Sequence, residues 1–204
     1  MIISLDKRAI YVGMPHTASS SIHTYSEPFA SETLIMNGWV KKHETLNGVS
    51  KMLKEEHGIQ INGDWSVVCF TRDPIDFFIS EYFLLERMCA IADRLQIDSW
   101  KRQVVEFCEA GDTLDKYVLD RIERIQNFDE VINFYVGVAD ADPATRDVRK
   151  MLLPYEDFEN SFNTTCDVLG IPQGECPKTN QKSEDQKKQR LLPETVEILK
   201  NAGI

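Results

Sequence analysis

Apolar and polar positions follow two rhythms along the 204-residue chain. Short unbroken apolar runs bounded by Gly, Pro or Asp read as buried strands, and apolar positions recurring every three to four residues read as helices. Ala9-Ile10-Tyr11-Val12-Gly13 is the first such run; it stops at Pro15, and Thr17 to Ser21 lead into Ile22 and a helix. Trp65 to Phe70 is a second strand, Thr71-Arg72-Asp73-Pro74 its turn, and Ile75 to Ala92 the following helix. Asp73 is the expected N-cap, because proline suits the first helical position and the carboxylate can accept from unpaired backbone N–H groups.

The remaining segments fit the same scheme. Glu44 to His57 carries Leu46, Val49, Met52 and Leu53 at a helical period that Gly58 ends. Asp98 to Asn127 is amphipathic and predicts helices on either side of Gly111. Val131 to Val138 and Met151 to Tyr155 read as two further strands, joined by the turn Ala139 to Ala144. Phe158 to Leu169 reads as a helix capped by Gly170. Gly174 to Arg190 is a polar, Lys-rich stretch, and Pro193 to Ala202 a last short helix. Strands alternating with helices predict one α/β domain over residues 1–204, its central sheet mostly parallel and flanked by helices. Ligands of such sheets bind at the carboxyl ends of the strands.

Composition narrows the functional classes. The net charge is −10, from 23 Lys and Arg against 33 Asp and Glu. It argues against general affinity for nucleic acid or an anionic membrane, so an anionic ligand needs a local positive pocket. No apolar stretch approaches the roughly 20 residues of a membrane span, and the first residues lack the layout of a signal peptide, so a cytoplasmic protein is expected. The five cysteines are an odd number, scattered, with no C-x-x-C, and no His stands at zinc-ligand spacing. Reduced, mostly buried thiols and no metal are expected.

Two loops carry the candidate chemistry. Thr17, Ser19, Ser20 and Ser21, with Ala18 among them, place four hydroxyls where a strand turns into a helix. Unpaired helix N-terminal N–H groups and hydroxyl donors suit a phosphate there, although the same serines also serve as ordinary caps. The spacing G-x-x-x-x-G-K-S/T of a Walker A loop is absent. In the second loop, Arg72 follows a strand and precedes a helix bearing Ser80, so an Arg fork and a hydroxyl can meet a second phosphate; a salt bridge from Arg72 to Asp73 or Asp76 is the alternative.

The first loop, Ile10 to Ile22, resembles the P-K-T-A/G-G-S/T-S/T loop of sulfotransferases that use 3′-phosphoadenosine 5′-phosphosulfate, especially the heparan sulfate 2-O-like carbohydrate branch and its small microbial relatives. Phe70-Thr71-Arg72-Asp73-Pro74-Ile75-Asp76-Phe77-Phe78-Ile79-Ser80-Glu81-Tyr82 resembles the same family's F-x-R-N/D-P-x-D/E-R-x-x-S-x-Y/F. Lys42-His43-Glu44-Thr45 is similar to its K-H-x-T segment. Tyr155-Glu156-Asp157-Phe158, Leu169-Gly170-Ile171-Pro172 and Asn180-Gln181-Lys182-Ser183 are similar to its Y-E-D/N-F/L, L-G-I/L and N-x-S sequence. The likeness spans Ile10 to about Ser183.

That resemblance implies a three-layer, P-loop-NTPase-like fold and transfer of a sulfuryl group to a hydroxyl of a small molecule or saccharide, with release of 3′-phosphoadenosine 5′-phosphate (PAP). It implies that Thr17, Ala18, Ser19, Ser20 and Ser21 hold the 5′-phosphosulfate. Arg72 and Ser80 would hold the 3′-phosphate, with Lys182 and Ser183 as further contacts. His43 would take the acceptor proton, whereas spacing alone reads it first as a surface residue ahead of a helix, beside Lys41 and Lys42. Three positions depart from the family: His16 stands for the loop Lys that neutralises the leaving oxygen, Ser19 for the close-approach Gly, and Phe77 for the Arg of the second motif. The alternative is a catalytically impaired nucleotide-binding protein that retains the fold. The acidic remainder of the chain favours a neutral or lightly charged acceptor over a highly sulfated polymer.

Overall fold

The computed structural model describes residues 1–36, 43–95, 98–124, 128–136, 147–177 and 191–201. In chain order the elements are β1 (Ile2–Ser4), β2 (Ala9–Val12), α1 (Ser19–Ser26), β3 (Leu34–Met36), α2 (Leu46–His57), β4 (Ser66–Thr71), α3 (Pro74–Cys89), α4 (Asp98–Ala110), α5 (Leu114–Arg124), α6 (Phe128–Val136), β5 (Arg149–Pro154), α7 (Phe158–Leu169) and α8 (Pro193–Asn201). They fall into two compact units, the first Met1–Arg72 with Asn127–Asn180, the second Asp73–Gln126 with Gln181–Ile204.

The first unit is α/β, a five-stranded sheet in the order β3-β1-β2-β4-β5 flanked by helices. β2, β4 and β5 run parallel, with Ile10 opposite Val67 and Val68 opposite Met151. β1 runs antiparallel to both β2 and β3. Four of the five strands, β3, β2, β4 and β5, therefore point the same way and β1 alone opposes them, which makes the sheet mixed; β1 and β3 both escape the sequence pattern. Each of β1 and β3 has three residues, too few to display a period of two.

A second correction concerns Val131 to Val138. Residues 128–136 form the helix α6, not a strand. Phe128, Val131, Ile132, Tyr135 and Val136 recur at helical spacing once the window opens at Phe128, and the apolar run inside it imitates a strand. Residues 137 and 138 and the expected turn at 139–144 lie outside the described residues.

α7 packs its apolar face on the sheet. Phe162, Cys166 and Leu169 join Tyr11, Val68, Phe70 and Ile22 in one buried cluster. Phe70 meets Tyr11 and Phe158 edge-on, with ring centroids 6.0 and 5.8 Å apart, an orientation that aromatic quadrupoles favour. Gly170 ends α7 with φ at 72°, a left-handed conformation that a side chain would strain.

The second unit is helical. Asp73 caps α3 as expected, its carboxylate accepting from the N–H groups of Ile75 and Asp76. Leu85, Val104 and Tyr117 from α3, α4 and α5 form its core. The Tyr82 ring packs against those of Phe107 and Tyr117 at 5.3 and 5.6 Å. Arg121 pairs with Glu81 at 3.4 Å and donates from Nε to the Tyr117 hydroxyl.

Cys89 and Cys108 are joined in a disulfide, which overturns the expectation of five reduced thiols. The end of α3 and the body of α4 bring their Cα atoms to 5.9 Å, within reach of a bridge. Their separation of 19 residues carried no signal of that meeting. Cys69, Cys166 and Cys176 are free. Burial pushes the Cys69 thiol up to about 12, partly opposed by a Met14 backbone hydrogen bond. Burial likewise raises Cys166 to about 11 and Cys176 to about 12. At neutral pH these three are inert thiols rather than nucleophiles. Among the described residues, no helix is long and apolar enough to cross a membrane.

Candidate functional site

Because β2, β4 and β5 run parallel and adjacent, their carboxyl ends open on one edge of the first unit. The loop from Gly13 to Ala18 leaves β2 there, Arg72 leaves β4 and Tyr155 leaves β5.

Arg72 ties the three ends together. Its Nη1 donates to the His16 carbonyl at 2.9 Å, and its guanidinium carbon lies 4.5 Å from the centroid of the Tyr155 ring, a cation–π contact. Nε is buried without a hydrogen-bond partner among the described residues. A buried N–H left unpaired costs about 1–3 kcal/mol, so this edge favours an acceptor.

The loop after β2 is tightly wound. His16 and Ala18 both adopt left-handed backbone, at φ 62° and 58°. Thr17 is fully buried and its hydroxyl donates to the Met14 carbonyl at 2.7 Å, so this donor is turned inward on the loop itself. Ser19, Ser20 and Ser21 are buried in the first turn of α1, behind Ala18, whose methyl offers no acceptor to the N–H groups of that turn. The left-handed conformation costs a non-glycine residue about 1–2 kcal/mol. Ala18→Gly is therefore expected to raise stability by up to about 1 kcal/mol after the entropy of glycine is subtracted. A lower midpoint in urea unfolding would contradict this.

His43 is half-buried, just ahead of Thr45, which caps α2 by accepting from the Gly48 N–H. Its Nδ1 lies 2.5 Å from the carbonyl oxygen of Gly13. A carbonyl only accepts, so Nδ1 carries the proton and the lone pair of the neutral ring falls on Nε2. His43 is thus anchored to the same loop as His16, not left at the surface.

These contacts bring His16, Arg72 and His43 to one strand-end cluster with the loop of Thr17 and Ala18. Ser80 stands on α3 in the second unit. Lys182 and Ser183 lie outside the described residues. Tyr155 is a site residue that the pattern of strands and loops does not single out; its signal is the Tyr155-Glu156-Asp157-Phe158 stretch directly after β5. Arg donors, a helix start and an oriented imidazole equip this edge to hold an anion beside a base.

No known protein family, curated protein or solved structure matches the chain.

Proposed function

We propose that the chain is a sulfotransferase that moves a sulfuryl group from 3′-phosphoadenosine 5′-phosphosulfate to a hydroxyl of a carbohydrate or small molecule. The observation that carries this reading is Arg72, which holds the loop after β2 through His16, stacks on Tyr155 and keeps a buried Nε–H without a partner among the described residues. Within the reading, the three-layer, P-loop-like arrangement is the frame, and the parallel half of the sheet is its nucleotide edge. The donor nucleotide supplies an activated sulfuryl group when bound. Arg72 then offers its Nε edge to the 3′-phosphate, and the helix start from Ser19 to Ser21 is assigned to the 5′ side. His43 Nε2 accepts the acceptor's hydroxyl proton. His16 neutralises charge on the leaving phosphate oxygen when its ring is protonated.

Calorimetry with PAP is the first test: saturable binding is expected, and no heat of binding sinks the proposal. A second reading, nucleotide binding without transfer, is favoured by His16 itself. It replaces a permanent cation with an imidazole, and its backbone carbonyl is committed to Arg72. PAP release from the donor nucleotide in a mixed pool of sugars and phenols supports transfer; binding without release between pH 5 and 8 supports the second reading.

A further inference from the structure

We propose that Tyr155 is a positioning residue: its ring fixes the plane of the Arg72 guanidinium so that the Nε edge points at the anionic group of the ligand. This inference rests on the nucleotide-binding reading of the site. A guanidinium has a face and several N–H edges to commit. Here the face is taken by Tyr155 at 4.5 Å and Nη1 by the His16 carbonyl, which leaves the buried Nε–H as the edge without a partner among the described residues.

The ring that does this is itself held. Tyr155 packs edge-on against Phe158, and Phe158 stacks on the buried Phe162, with centroids 5.8 and 6.0 Å apart. The Pro154 carbonyl, one residue before Tyr155, accepts from the Ser161 hydroxyl at 2.8 Å. The end of β5 is thereby pinned to α7, and α7 to the core. Arginine keeps considerable rotamer freedom when unsupported, and a stacked fork loses less on binding than a free one.

The test compares two ligands that differ only at the 3′ position, PAP and adenosine 5′-monophosphate, by calorimetry on the whole chain. Tyr155→Leu is expected to weaken PAP about fivefold, the loss of one cation–π contact, and to leave adenosine monophosphate unchanged. Tyr155→Phe keeps the ring and the parent affinity for both. In an Arg72→Ala background, Tyr155→Leu is expected to have no further effect on PAP. A purely structural role for Tyr155 would move both ligands together, or persist without Arg72, and either result overturns the inference. So does unchanged PAP affinity in Tyr155→Leu. Where Tyr155→Leu melts early, Tyr155→Met serves as the second ringless variant under the same criteria. Failure of the parent protein to bind PAP overturns the reading beneath, and the inference with it; failure of the variants alone overturns only the inference.

Discussion

Replacing His43 with alanine is expected to lower the proposed sulfuryl transfer by a factor of about 10² to 10⁴ while affinity for PAP, the proposed product nucleotide, stays close to the parent value. The split follows from the site. A hydrogen bond from His43 Nδ1 to the Gly13 carbonyl ties the ring to the loop, and it places the lone pair of the neutral ring on Nε2. The donors assigned to the nucleotide are others: Arg72 and the first turn of α1. Removing the imidazole takes away the proton acceptor but spares them. Steady-state turnover with calorimetry on the same preparation checks both halves. Full turnover with intact binding would dismiss His43 as the base. Loss of binding in step with turnover would make it a support of the loop instead.

The second large effect belongs to the disulfide. Replacing Cys89 and Cys108 together by serine, or reducing the bridge, is expected to destabilise the helical unit by about 3 kcal/mol, from the loop entropy returned to the unfolded chain. Cys108 is exposed and Cys89 half-buried, so reductant can reach the bridge without prior unfolding. Urea unfolding with and without reductant measures the change. Alkylation of the denatured, unreduced protein should label three thiols, Cys69, Cys166 and Cys176; five labelled thiols would show that the bridge does not form. Mesophilic cytosolic proteins rarely keep such bridges closed. The redox state of this pair in cells therefore bears directly on the expectation of a cytoplasmic protein.

The elements most legible in the sequence were those with an explicit punctuation residue. Asp73-Pro74 fixed the start of α3, Gly58 and Gly170 the ends of α2 and α7, and each boundary rests on backbone chemistry local to a few residues. β1 and β3 were not legible, because three-residue strands are specified by the partners they pair with rather than by their own pattern. α6 was misread because periodicity over a short apolar run does not separate a buried helix turn from a strand. The same division holds at the site. Arg72 and the Ser-rich loop stand out as chemistry, whereas the anchoring of His43 on Gly13 and the stacking of Tyr155 on Arg72 join residues far apart in the chain, the latter through the parallel pairing of β4 and β5.

That parallel pairing also sets the order in which the protein can become functional. The chain leaves the sheet after β4, builds α3 to α6, and returns to pair β5 beside β4, so that the Thr71 hydroxyl meets the Leu153 carbonyl across 82 residues of sequence. Closing such a loop is among the slow steps of folding, and during synthesis β4 waits for its neighbour until the chain beyond Pro154 has emerged. Until then Arg72 has no ring to stack on. If the proposed nucleotide binding holds, it is consequently a readout of completed folding at this edge, and refolding followed by nucleotide binding should lag refolding followed by helix content.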